Sequence, residues 1–228
     1  MESEATKVPE STSASTEVSP ELSAAATRRE LRKQDRRQAF VDAAHASFLE
    51  HGYAGTSMSS LIKEVGGSKA TLWSYFRSKE ELFAAVIKDV AASFVAELEG
   101  LLPQDGTDPR PALVNFCRRF LEKIATPTAT ATWCMVVAES GRSPEIGRIF
   151  YENAASRTQA ALQTFIRRHI ELGNLADEDP VRMAETLMNL CIAQHTRTLW
   201  GLGPPTAECI AGDADRYTTW FLRAYAPQ

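Results

Sequence analysis

The stretch TSMSSLIKEVGGSKATLWSYFRSKEELF, residues 56–83, decides the fold: two short helix patterns flank Gly66-Gly67, and hydroxyl, aromatic and basic residues gather on the second. Thr56 and Ser57 are placed to cap the first helix, because a hydroxyl oxygen accepts the free N–H groups of an opening turn. Met58, Leu61, Ile62 and Val65 recur at helical spacing and give that helix one apolar face. Gly66 and Gly67 supply positive φ without a Cβ clash, and Ser68 is positioned to cap the next helix. That helix, Lys69 to about Tyr75, is too short to stand alone, and only Leu72, with Ala70 or Phe76, reads as packing. Its other side carries Ser68, Lys69, Thr71, Trp73, Ser74 and Tyr75, all able to donate hydrogen bonds to phosphates or base edges from a rod that fits a major groove. Arg77 and Lys79 follow at once. The layout is that of a DNA-binding helix-turn-helix.

Outward from this stretch, Phe40, Ala43, Ala44 and Phe48 place a supporting helix from about Arg36 to His51, ended by Gly52. On the other side Ser78 and Glu81 have capping-box spacing, and Phe83, Val86, Ile87, Val90 and Phe94 continue a helix that links two domains. In these positions the chain resembles the TetR-type transcriptional regulators: the helix from Phe40 to Gly52-Tyr53, Thr56-Ser57, and SKATLWSYFRSKEELF at Ser68 to Phe83 stand in register. It departs from the family pattern at Ile62 and Val65, at Gly67 where the turn residue is usually Val, and at Trp73 in place of Tyr. The expected roles follow. Thr56, Ser57, Trp73, Tyr75 and Lys79 would hold the protein on phosphates. Ser68, Lys69, Ala70, Thr71 and Ser74 would lie near base edges.

The formal charge of −4 over 228 residues is unevenly spread. Residues 1–26 hold five Glu and one Lys, whereas residues 27–90 hold eleven Lys or Arg against eight acids. Arg28, Arg29, Arg32, Lys33, Arg36 and Arg37 form a basic arm that reads either as a phosphate or minor-groove contact or as a solvated helix end. Residues 1–27, rich in Ser, Thr and Glu and without an apolar core, read as a disordered tail rather than an export signal. No apolar run is long enough to span a bilayer, so an intracellular, cytoplasmic protein with no membrane partner is expected.

Beyond residue 100 every stretch reads helical: about 110–125, 128–140, 144–172, 180–200 and 206–224, with Pro144 and Pro180 at helix starts. The fold class expected is all-α: tail 1–27, helix-turn-helix domain 28–78 and a helical effector-binding and dimerisation domain 79–228. The segment from Met135 to about Trp200 resembles the C-terminal domain of the AefR-like branch, through Ala138-Glu139, Pro144-Glu145-Ile146, Phe150-Tyr151 and Asp179-Pro180. That resemblance implies a homodimer built on the last two long helices and an effector pocket between connecting helices. Leu187, Leu190, Cys191, Thr198, Leu199, Tyr217, Trp220, Phe221 and Tyr225 could make the dimer bundle or pack within one subunit.

The pocket candidates are Phe116, Phe120, Trp133, Met135, Phe165 and Met188, with Phe150 and Trp200 also in the apolar inventory. His169 and His195 are polar anchors, with Arg119, Gln163, Asn189 and Gln194 available; the effector expected is a hydrophobic or amphipathic small molecule. Cys117, Cys134, Cys191 and Cys209 lack metal or redox spacing and read as buried thiols. The four His show no ligand spacing, so no metal and no cofactor are expected. Nucleophile elbows, phosphate loops and zinc-binding helix pairs are absent, and an enzyme is not expected. The reading is a repressor released from a palindromic DNA operator by its effector. The alternative is a helical small-molecule carrier or adaptor that has lost DNA binding.

Overall fold

The computed structural model describes residues 20–105 and 108–227, with side chains from Arg28 onward except that of Gln194. Residues 1–19 of the expected tail therefore lie outside the described residues, as does the Gln194 side chain. Among the described residues the chain is helical and has no strand. The helices are α1 (Pro20–Gly55), α2 (Met58–Val65), α3 (Lys69–Tyr75), α4 (Lys79–Gly100), α5 (Arg110–Ile124), α6 (Pro127–Ser140), α7 (Pro144–Phe150), α8 (Ser156–Glu171), α9 (Pro180–Leu199) and α10 (Ala207–Ala224). A π-helical turn, Tyr151–Ala155, joins α7 to α8.

Contacts divide the chain into residues 1–38 and 39–228. The described part of the first unit is the opening of α1, whose side chains from Arg28 to Asp35 are exposed, with Lys33 3.9 Å from Glu30. Helix α1 starts at Pro20, inside the segment expected to be a tail and well before Arg36. The physical reason is that Pro suits a first helical position and no Gly or Pro interrupts the following good helix formers until Gly52. At Gly52 the backbone turns to φ 73°, ψ 172°, which breaks the helix.

In the second unit, two apolar cores form. One surrounds the helix-turn-helix: Phe40, Phe48, Leu61, Leu72, Phe76, Leu82 and Phe83 are essentially inaccessible. Each such ring or branched chain contributes roughly 1.5–3 kcal/mol by leaving water. Phe83 stands edge-on to both Phe48 and Tyr53, with centroids 5.4 Å apart in each case. This core also takes Val86 and Ile87 from α4, Val136 from α6, and Ile146 and Ile149 from α7, so it crosses residue 78. The second core gathers α5, α8, α9 and α10 around Phe116, Phe165, Leu187 and Phe221.

The second core takes up several of the residues read as either dimer bundle or subunit packing, and the thiols depart from their expected burial. Leu187, Cys191, Tyr217 and Phe221 are buried within one chain, while Trp220 is about half exposed. Of the four thiols, Cys117 and Cys191 are buried, but Cys134 and Cys209 sit on outward faces of α6 and α10. Helical spacing gives a periodic stripe but not the angular offset that decides whether one Cys falls inside it.

Candidate nucleic-acid interface and cavity

Helix α2 is capped by Ser57, whose Oγ accepts the Ser60 N–H at 3.0 Å. Gly66 at φ 78° and Gly67 at φ 102° turn the chain through conformations that side chains bearing a Cβ rarely adopt. Ser68 then caps α3 by accepting the Thr71 N–H at 3.1 Å, its hydroxyl lying 2.9 Å from that of Thr71. Leu72 is the single buried residue of α3, and Phe76 beyond it is also fully buried. The outward surface therefore holds Ser68, Lys69, Ala70, Trp73 and Ser74, all exposed, with Thr71 and Tyr75 half-buried. The Tyr75 ring lies 6.3 Å from that of Phe40, and Ser74 donates to the Thr71 carbonyl at 2.7 Å.

Thr56 behaves differently from the expectation. It is 3% exposed; its hydroxyl donates to the Gly52 carbonyl at 3.0 Å and lies 2.9 Å from the Ser47 hydroxyl. It ties the junction between α1 and α2 back onto α1, with its hydroxyl turned inward to satisfy the broken helix end. Lys79 is half-buried at the start of α4, its Nζ 4.3 Å from the Tyr53 ring centroid and 3.4 Å from the Ala54 carbonyl. Burial pulls its pKa down. Beside it the Tyr53 hydroxyl donates to Glu80 at 2.9 Å; burial first, then that bond, push the phenol upward, while hydrogen bonds hold the Glu80 carboxyl below its usual range. Ser78 caps α4 through the Glu81 N–H, and the Glu81 carboxylate reaches past the cap to the Arg77 N–H at 2.7 Å.

A cavity of about 280 Å³ lies among α4, α5, α6, the π-helical turn, α8 and α9. Phe120, Trp133, Met188 and His195 line it as expected. Phe116, Met135, Phe165 and His169 do not. Phe116 and Phe165 fill the second core, Met135 packs on the helix-turn-helix core, and His169 is buried 3.1 Å from Asn174 and against Phe165. Sequence reasoning missed the α4 wall of Ile87, Val90 and Phe94, which it read as a linking helix, and the Thr132 and Thr158 positions. The π-helical turn is a signal found at functional sites, but nothing in the sequence marks it. Trp133 stands edge-on to both Phe150 and His195, at 5.8 Å in each case. Among the described lining residues Lys123 is the one charged side chain, its Nζ 5.4 Å from the Phe94 centroid.

Residues 40–86 match the family model described as bacterial regulatory proteins, tetR family, and residues 111–227 match the AefR-like transcriptional repressor, C-terminal domain. The chain belongs to the TetR family. The transcriptional repressor AcnR of Corynebacterium diphtheriae is 26% identical over 67% of this chain and 75% of its own. ComR, a repressor of Escherichia coli K12, is 26% identical over 69% and 76%. Among solved structures, the flavonoid-responsive regulator FrrA has a TM-score of 0.73 at 30% identity, over 86% of this chain and 99% of its own. A TetR-family regulator from Mesorhizobium loti has a TM-score of 0.75 at 24% identity, over 86% and 98%.

This TetR-family chain is a DNA-binding transcriptional regulator, of a family of regulators rather than enzymes. Among the described residues, no helix is long and apolar enough to cross a membrane, and no group of three or more His, Cys, Asp or Glu is placed to hold a metal. In the TetR-type frame the cavity and the DNA-binding core share material: Ile87, Val90, Phe150 and Ala154 belong to both.

Proposed function

We propose that this chain is a cytoplasmic, homodimeric repressor whose operator affinity falls when a hydrophobic or amphipathic molecule fills the cavity. The observation that carries the proposal is the wall of Ile87, Val90, Phe150 and Ala154, which faces the cavity and packs on the helix-turn-helix core. An occupant that moves this wall moves α4 and α7 against the core that holds the reading helix. It can do so only through a difference in affinity for the two arrangements.

On DNA, Ser68, Lys69, Ala70, Thr71 and Ser74 face base edges, while Ser57, Trp73, Tyr75 and Lys79 contact phosphates. Thr56 positions the helices from within. Two copies are needed, because one α3 reads only a few base pairs and a two-fold pair reads half-sites about 34–36 Å apart. The exposure of Trp200, just past the end of α9, at 74% and of Trp220 on α10 at 49% supports pairing through this part of the chain. The domains follow as a DNA-binding part through residue 78 and an effector and dimerisation part from residue 79.

The test is selection from a random duplex library with the purified protein at moderate salt, followed by titration of the retained operator with apolar aromatic compounds. A palindrome that is released on titration supports the reading. Retention of duplexes without a palindrome, or a palindrome that no cavity-filling compound releases, counts against it.

A further inference from the structure

The cavity is walled almost wholly by carbon, and its few polar groups are informative. The hydroxyl of Thr132 donates to the Thr128 carbonyl and that of Thr158 to the Ala154 carbonyl, so both protons are already used. His195 differs. It is 4% exposed, it lines the cavity, and its Nδ1 is buried with no hydrogen-bond partner. That nitrogen has no accessible surface, so the ring atom left to meet an occupant of the cavity is Nε2. Burial holds the ring neutral, so it presents one donor and one acceptor. None of the described lining residues is acidic, and Lys123 is cationic, so a positively charged occupant has no counter-charge there. The aromatic walls of Phe94, Phe120, Trp133 and Phe150 favour a flat ring.

We propose that the cavity selects a planar aromatic molecule that carries a hydroxyl group and no positive charge, and that the hydroxyl hydrogen-bonds to the His195 imidazole. The inference rests on the cavity being the effector site. Its content is the polarity of the effector and the residue that reads it.

Two probes of nearly equal shape test it, 4-hydroxybiphenyl and 4-methylbiphenyl, titrated into the full chain and into the His195→Leu and His195→Gln variants. The expected result is that His195→Leu weakens 4-hydroxybiphenyl about tenfold, the scale of one net hydrogen bond. It leaves 4-methylbiphenyl within about twofold, and His195→Gln restores most of the loss for the hydroxylated probe. In the parent protein, the imidazole nitrogen resonances of His195 shift on binding 4-hydroxybiphenyl. Equal weakening of both probes in His195→Leu, or unmoved His195 nitrogens at saturating 4-hydroxybiphenyl, would overturn the hydroxyl contact while leaving the cavity as a binding site. Failure of both probes to bind the parent would remove the effector reading itself, and this inference with it.

Discussion

Replacing Thr56 with valine separates a structural role from a DNA-contact role at one atom. Valine keeps the branched shape but can neither donate nor accept. The Gly52 carbonyl still receives the Thr56 N–H at 3.3 Å, so the loss falls chiefly on the Ser47 hydroxyl, which is 9% exposed and 2.9 Å from the missing oxygen. Leaving one buried hydroxyl unpaired costs about 2 kcal/mol. In a chain of this length that lowers Tm by about 4–8 °C. The double change Ser47→Ala with Thr56→Val removes both partners and recovers about 1 kcal/mol relative to Thr56→Val alone, because no polar atom is then stranded. Thermal unfolding is followed by circular dichroism at one fixed protein concentration, since pairing would make Tm depend on it. Operator binding is measured in parallel against salt. A phosphate contact would instead weaken operator binding at every salt concentration, with the salt slope unchanged because a neutral hydroxyl releases no counterion, and leave Tm unchanged. That result, or strict additivity of the two substitutions, would refute the inward role.

Lys79→Ala is expected to weaken DNA binding similarly across sequences and lower the salt slope by about one, whereas Lys69→Ala acts more on base preference; equal slopes for Lys79→Ala and the parent would take Lys79 out of the phosphate set. Gly67→Ala forces a Cβ onto φ 102° and is expected to cost about 1–2 kcal/mol, read from the urea midpoint; an unchanged midpoint contradicts the strain. Burial lowers the folded-state pKa of His45, His169 and His195 below 6.5, so the unfolded chain binds more protons and stability is lost as pH falls below 6.5. Urea midpoints at pH 7.5 and 5.5 check this, with a smaller gap expected in His195→Gln. Trp220→Glu is expected to convert dimer to monomer in sedimentation; an unaltered dimer would place the interface elsewhere.

The helical plan was legible because punctuation carries it. Ser57, Ser68 and Ser78 cap where their spacing says, Pro144 and Pro180 open helices, and Gly66-Gly67 makes the turn. The outward face of α3 was legible for the same reason, since a seven-residue helix with one packing residue has little choice of face. Thr56 was less legible, because a hydroxyl at a helix start can cap outward or brace inward, and its bond to the Gly52 carbonyl is set by the preceding turn. The cavity was half legible. Phe116 and Phe120 share one helix face and stack 6.1 Å apart, yet only Phe120 borders empty space. Sequence periodicity shows that a face is apolar, not whether its neighbours fill the room in front of it. For the same reason α4 was read as a linker although Ile87, Val90 and Phe94 form a wall.

The shared wall has an evolutionary consequence. If the cavity is the effector site proposed above, a substitution at Ile87 or Phe150 changes ligand fit and the packing of the DNA-binding core together, so a lineage that drifts there risks its fold each time it alters its inducer. Phe120, Met188, Ile192 and His195, on α5 and α9, border the same cavity but lie outside that core. Diversification of inducer range among descendants of this chain should therefore accumulate on the α5 and α9 side, while the α4 and α7 side stays fixed.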